Sequence, residues 1–393
     1  MPRDQILSAT FRETRRELPM YSLHLDIIRG FAALLVLVGH LRLIITGHTG
    51  AGASGGGLNS HPANATGLGH ASVMIFFVLS GYLVGGSVLR DLRRNTFSWS
   101  QYGLKRLTRL WTVLVPVLVL SALLDALTMH YFSGTRVVEF GHFTHSFQQP
   151  GILQFLRYLA FLQSINRFGV HQFGTNGALW SLSNEFWYYA LFPLIAVALG
   201  KRSPILWKVL MLFLAGLLLW ILGAGIVEYF PLWLCGVAAY IAPPSIPARL
   251  QRFAAFAMTL QFLIVLFLMR SLALGGLRSD MCIALSFTVL LYTLLHRVGP
   301  ASTSLYSHFA HAVSFPSYSL YACHVPACIF LAAFFEKDLP ALFRNTALAS
   351  AATFAVVTVY AGVIYLLFER NTDRIRSRIE SGWLRDSVSA SSA

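Results

Sequence analysis

Apolar residues along this chain run in unbroken stretches of about 20, long enough to cross a bilayer as helices. The stretches recur from one end to the other. None alternates with a period of two, and in hydrocarbon only helices or closed barrels satisfy the backbone. The pattern predicts an all-α fold, a polytopic membrane bundle of about ten transmembrane helices. The spans fall at 24–46, 70–89, 108–130, 177–199, 205–225, 228–242, 253–272, 281–297, 315–335 and 347–368. The sixth is short, which suits a tilted or partly re-entrant element. A further apolar patch, Gly151 to Ile165, carries Gln154, Arg157 and Gln163 and reads as an amphipathic interfacial helix.

Composition agrees with the pattern. The chain is 56% hydrophobic and 12% charged, about half the charged share of a soluble domain. The formal net charge of +14 is spread over short loops between spans. There is no basic domain and no aromatic-basic motif, so the bilayer is an expected partner and nucleic acid is not. With the N-terminus inside, 22 of the 30 Lys and Arg fall on the inner side or near inner helix ends. That asymmetry follows the positive-inside rule and predicts a multi-pass protein with both termini cytoplasmic. The expected organisation is a cytoplasmic N-terminal segment (1–23), a membrane domain (24–369) and a basic tail (370–393) that is disordered after Ser387. The first span is no cleavable signal: a polar, Arg-bearing head precedes it, it is too long, and it lacks a small-residue cleavage site. Residues 47–69 form a Gly/Ser/Asn/His-rich outer loop, and 131–176 the longest extramembrane segment. Cys235, Cys282, Cys323 and Cys328 lie in apolar segments without CxxC or zinc spacing, so they read as buried thiols and no metal is expected.

Ionisable groups at membrane depth are costly and point to function. On the first span Asp26 and Arg29 are three apart and can pair, while Arg29 and His40, eleven apart, share a face. His40 lies roughly 24 Å along the helix from its inner end, in the outer half of the bilayer. The second span carries Phe76-Phe-Val-Leu-Ser80-Gly81-Tyr82-Leu, where Ser80 and Gly81 also suit close helix packing. Before the third span, Arg106 and Arg109 stand one turn apart and can jointly clamp a phosphate, although plain positive-inside charge explains them equally well. The fourth begins Trp180-Ser181-Leu-Ser183-Asn184-Glu185, which puts Glu185 roughly 12 Å below the outer surface and in need of a partner. His40 descends to similar depth. The ninth carries Tyr318, Ser319, Tyr321 and His324, hydroxyls one turn from a histidine, as in a polar cavity.

Taken in order, these clusters resemble the membrane-bound acyltransferase 3 family over roughly residues 20–380. The likeness rests on Leu25-Asp26-x-x-Arg29-Gly30…His40, Phe76-Phe-Val-Leu-Ser80-Gly81-Tyr82-Leu and Arg106-x-x-Arg109. It continues through Leu179-Trp180-Ser181-Leu-Ser-x-Glu185-Phe-x-Tyr188…Pro193, Tyr318-Ser-x-Tyr321-x-x-His324 and Phe368-Glu369-Arg370. The departures are small: Cys323 stands where the family often has Trp, and no SGNH-type hydrolase domain is appended. The resemblance implies about ten helices. It also implies transfer of an acyl group, often acetyl, from cytoplasmic acyl-CoA (acetyl-CoA) as donor substrate to a hydroxyl of a carbohydrate or glycolipid acceptor, with no bound cofactor. It marks His40 as the essential histidine and assigns Arg106 and Arg109 to the donor. The setting would be the cell membrane, the inner one in a bacterium.

Acyl transfer to an alcohol needs a base for the hydroxyl proton. His40 is the candidate, with Glu185 expected to orient it or to stabilise the imidazolium. Arg29, paired to Asp26, shapes the inner mouth, and Ser80, Trp180, Ser181, Tyr318, Tyr321 and His324 line the cavity. The rival reading is a transporter or flippase for a lipid-linked sugar, using buried Glu and His for proton coupling. Against it stands the absence of internal repeats and of Gly/Pro-broken helix pairs in matching halves.

Overall fold

A segment in hydrocarbon must bond its own backbone, and the long apolar runs do so as helices. The computed structural model describes residues 20–46, 67–139, 150–201, 203–243, 245–271, 276–295, 308, 314 and 316–391. Most of the Gly-rich stretch expected at 47–69 lies outside them. In chain order the helices are α1 (Met20–Thr46), α2 (Gly67–Arg94), α3 (Trp99–Phe132), α4 (Ile152–Leu159), α5 (Trp180–Ala198) and α6 (Ile205–Leu222). They continue with α7 (Phe230–Ile241, entered through a separate turn Ala224–Val227), α8 (Gln251–Ser271), α9 (Leu277–Leu295), α10 (Ser317–Asp338), α11 (Thr346–Leu367) and α12 (Thr372–Ser391). Among the described residues nine helices are long and apolar enough to cross a membrane. With α5, 19 residues long but opening on Ser181, Ser183, Asn184 and Glu185, they make the polytopic bundle the sequence predicts. Below, the near end is the one holding Met20 and Arg370, and the far end the one holding Thr46 and Phe132.

Helix α10 stands at the centre, buried along most of its length and packed on α1, α3 and α11. By contrast α6 and α8 turn Ile205, Leu206, Phe253 and Phe256 outward, as lipid-facing helices do. Pro116, Pro193 and Pro326 sit inside helices, which membrane helices tolerate because neighbours satisfy the freed carbonyls. Cys323 and Cys328 are buried as expected, but Cys282 is exposed.

Helix α2 widens into one π-helical turn at Gly81–Gly85. There it crosses α7 backbone against backbone: a Cβ on Gly81 would lie 1.8 Å from the Trp233 carbonyl oxygen, and one on Gly236 1.9 Å from that of Val78.

Within 131–176, the amphipathic helix expected from Gly151 to Ile165 proves shorter. Helix α4 is only eight residues long and packs on α3, where Trp111 Nε1 donates to the Leu159 carbonyl at 3.0 Å. The chain then runs back along α5 without α-helix, in turns and two short 3-10 helices at Asn166–Phe168 and Gly177–Leu179. Phe161, at φ +57°, stacks its ring on Phe186 at 4.2 Å. Its carbonyl accepts from Ser183 Oγ (2.6 Å) and Trp187 Nε1 (2.8 Å), bonds that offset about 1–3 kcal/mol of left-handed strain. Asp125 of α3 accepts from Thr175 N (2.9 Å) and Oγ1 (2.7 Å), and Asn176 Nδ2 donates to Ser121 Oγ and the Ala322 carbonyl. Irregular backbone is stable at such a position because protein donors and acceptors replace water. Spacing alone does not reveal those partners.

Asp125 is 4% exposed and pins this return segment. A hydrogen bond to a charged group contributes about 1.5–3 kcal/mol, so Asp125→Ala should cost roughly 3 kcal/mol or more. Thermal melts in detergent should show a lowered midpoint and limited proteolysis should cut between residues 160 and 174, whereas Thr175→Ser should leave both unchanged. The tail also differs: where disorder was expected after Ser387, α12 continues to Ser391. Its start is held by Thr372 Oγ1 on the Glu369 carbonyl and by Arg376 bridging Asp373 and Glu380.

Candidate functional site

Helices α1 and α10 bring two histidines into contact inside the bundle. Their rings meet edge to face at 4.8 Å, with His324 Nε2 3.1 Å from His40 Nδ1. The protons follow from the acceptors that each nitrogen faces. His324 Nδ1 faces the carbonyls of Leu320 (3.0 Å) and Tyr321 (2.8 Å), so it carries the hydrogen and donates. The Nε2 of the neutral ring is then an acceptor. His40 Nδ1 faces that acceptor and the Val36 carbonyl at 3.0 Å, so it too is the donor. The lone pair of neutral His40 is left on Nε2, on a residue that is only half-buried. Two backbone carbonyls thus set the tautomer of His324, and His324 sets that of His40.

Glu185 occupies another position. Tyr189, one turn further along α5, donates its hydroxyl to Glu185 Oε1. Trp233 Nε1, which can only donate, bonds Ser80 Oγ at 3.1 Å, and Ser80 lies 3.2 Å from the Tyr189 hydroxyl. The donors therefore run in one direction, Trp233 to Ser80 to Tyr189 to the Glu185 carboxylate. The expectation that Glu185 orients His40 is corrected: His324 does, because the rotation of α10 places its ring, and not the carboxylate, against His40. Ser80 both closes the α2–α7 crossing and holds Tyr189. Tyr189 was not singled out in the sequence; a hydroxyl one turn after a buried Glu was the available signal.

At the near end the charged residues gather. Arg29 Nη2 donates to Asp26 Oδ1 at 3.1 Å, as their spacing suggests. Arg29, Arg109, Asp26 and Glu369 act on one another electrostatically, and Glu369 accepts from Ser319 N (3.1 Å) and Oγ (2.6 Å) at the start of α10. A carboxylate suits a helix N-terminus. The two loop arginines differ in surroundings. Arg109 is exposed, whereas Arg106 is half-buried, bonded through Nη2 to Ser87 Oγ at 2.9 Å and lying against the Tyr102 and Tyr189 rings. The Nε atoms of Arg29 and Arg106 are buried without a hydrogen-bond partner.

The remaining cavity residues have their protons committed. Tyr318 donates to the Leu110 carbonyl and Tyr321 to the Ala178 carbonyl, and Ser181 Oγ lies 2.6 Å from the Tyr321 hydroxyl. They fix backbone and ring positions around His324. Trp180 lies nearly parallel to the His70 ring, their centroids 6.3 Å apart.

Comparison with known proteins adds to this geometry. A family model described as an acyltransferase domain matches residues 23–367. An uncharacterized protein of Haemophilus influenzae is 25% identical over 128 residues, 33% of this chain and 49% of that protein. An O-acetyl transferase of Shigella phage Sf6 is 29% identical over 147 residues, 37% of this chain and 40% of that protein. The match thus spans about half the length, or less, of these relatives. No solved structure matches.

Proposed function

The chain belongs to the acyltransferase-domain family, and we propose that it is a membrane O-acyltransferase whose base is His40. The donor is acyl-CoA, acetyl-CoA in the first instance, and the acceptor a hydroxyl of a carbohydrate or glycolipid. The observation that carries this reading is the His324–His40 contact inside an apolar bundle, whose acceptors leave the lone pair of neutral His40 on Nε2. His40 Nε2 takes the acceptor hydroxyl proton as that oxygen bonds to the thioester carbonyl carbon. The tetrahedral intermediate then expels the CoA thiolate, which takes the same proton back from the imidazolium. His324 Nε2 accepts from the Nδ1–H of the cation and stabilises it, the part a carboxylate plays in other dyads. The excess of Lys and Arg at the near end supports a cytoplasmic near end, within the inner membrane of a bacterium. The phosphates of CoA are met there by Arg109 and Arg29, and the buried Nε–H groups of Arg29 and Arg106 suit an anionic oxygen.

Purified protein in nanodiscs should release CoA thiol from labelled acetyl-CoA and move the label to a glycan. Label that stays on acetyl-CoA while a lipid-linked sugar crosses the bilayer would make it a transporter. Arg109→Ala should raise the apparent KM for acetyl-CoA about tenfold, the equivalent of 1.4 kcal/mol, with kcat within about twofold. Steady-state kinetics measures it, and an unchanged KM excludes the contact.

A further inference from the structure

Beside the histidine pair the bundle holds a second titratable pair that the mechanism does not use. His70 of α2 and Asp280 of α9 meet at their far ends, with His70 Nε2 2.9 and 3.0 Å from the two carboxylate oxygens. The Asp280 side chain is 3% exposed and that of His70 23%. The carboxylate holds the imidazole, and the imidazole is the more exposed member of the pair. Its ring is nearly parallel to that of Trp180 (15°, centroids 6.3 Å apart). Trp180 in turn meets the rings of Tyr229 at 5.6 Å and Phe77 at 6.1 Å, and the Tyr229 hydroxyl interacts with Asp280.

The depth of this cluster is set by a glycine contact. Gly39 of α1 and Gly69 of α2 touch: a Cβ on Gly39 would lie 3.2 Å from the Gly69 Cα. His40 and His70 are the next residues on each helix, so both stand within about one residue's rise of this contact. A second bridge runs through Ser181, which follows Trp180 and lies 2.6 Å from the Tyr321 hydroxyl, one turn before His324.

We propose that His70, held by Asp280, and the Trp180 and Tyr229 rings form the seat for a neutral sugar ring of the acceptor, at the level of His40 and opposite the arginines. This rests on the O-acyltransferase reading. A pyranose offers an apolar C–H face, which an indole matches, and a rim of hydroxyls, which imidazole and phenol can bond. An acyl tail would need no buried His–Asp pair, and an anionic group would be repelled by Asp280 and the exposed Glu228 nearby. Among the described residues no group of three or more His, Cys, Asp or Glu could hold a metal ion here.

The test uses full-length protein in nanodiscs and labelled acetyl-CoA. The acceptor is surface glycan from cells that carry the gene, stripped of O-acyl groups by mild alkali and fragmented to a soluble form. His70→Gln and Asp280→Asn should raise the half-saturating glycan concentration about tenfold or more, and Tyr229→Phe about threefold, for lost hydrogen bonds in a buried site. Half-saturation by acetyl-CoA should stay within twofold. If Asp280→Asn does not accumulate, His70→Gln and the conservative Tyr229→Phe decide. Unshifted glycan half-saturation in both, or donor and glycan values moving together, overturns the seat. Wild-type protein that releases CoA for no glycan refutes the O-acyltransferase reading itself, and the seat with it. Wild-type transfer with unshifted variants refutes the seat alone.

Discussion

His40→Ala is expected to lower acyl transfer by about 10² to 10⁴, the usual contribution of a positioned general base, while the protein still inserts and folds. His40 is half-buried, so shortening its side chain empties little of the core. A properly inserted His40→Ala protein with full activity would refute the base assignment. His324 separates positioning from packing. Its Nε2 accepts the His40 Nδ1–H, and its Nδ1–H is held by two carbonyls. His324→Leu removes the acceptor and should lower kcat by roughly 10², since the imidazolium loses its stabilising partner. His324→Gln keeps a carbonyl oxygen able to accept and should recover most of that loss, to within about tenfold of wild type. Both should leave the KM for acetyl-CoA unchanged. A merely structural His324 would give equal losses in the two variants and move KM as well.

Gly236→Val is expected to keep the protein from accumulating in the membrane. The obstruction is backbone: the new Cβ would lie 1.9 Å from the Val78 carbonyl oxygen and 2.6 Å from the Tyr82 nitrogen. Neither can swing aside as a side chain would, so α2 and α7 must move apart along the crossing. That costs more than about 4 kcal/mol, beyond ordinary overpacking. It also draws Trp233 away from Ser80, and with it the donors that end on Glu185. Gly85→Ala is the control, because its Cβ meets the Val237 Cγ2 at 2.6 Å, a side-chain atom that can rotate away. Membrane-fraction yield and gel filtration should separate the two variants. Equal yields would mean that the helices tolerate separation.

The bundle and the near-end charges were legible because their signals are local. Length and apolarity define a span within one segment, and Asp26 and Arg29 pair by three-residue spacing on a single helix. The polar residues at membrane depth also stood out one by one, His40, Glu185 and His324 among them. Their partnerships did not, because a pair across helices depends on rotation and crossing. His40 finds His324 across 284 positions, and Glu185 is satisfied by Tyr189 on its own helix. His70 and Asp280, 210 positions apart, escaped notice for a further reason. Each lies one turn from the start of its helix, where the sequence alone gives a charge no prominence. The packing of the return segment 160–176 was not legible, because its partners lie on other helices. What folds it inward is Asp125, Trp111, Ser183 and Trp187 on helices that already had an explanation.

The hydrogen bonds that fix His40 end on the carbonyls of Val36, Leu320 and Tyr321. A carbonyl accepts but has no hydrogen to hand on, so the pair is a cul-de-sac for protons. In the proposed turnover one proton leaves the acceptor oxygen and passes to sulfur at the same depth, without traversing the membrane voltage, in which each elementary charge is worth about 2.3 kcal/mol per 100 mV. Acyl transfer by the proposed mechanism is electrically silent: it draws nothing from the ion gradient of the cell and opens no leak in it.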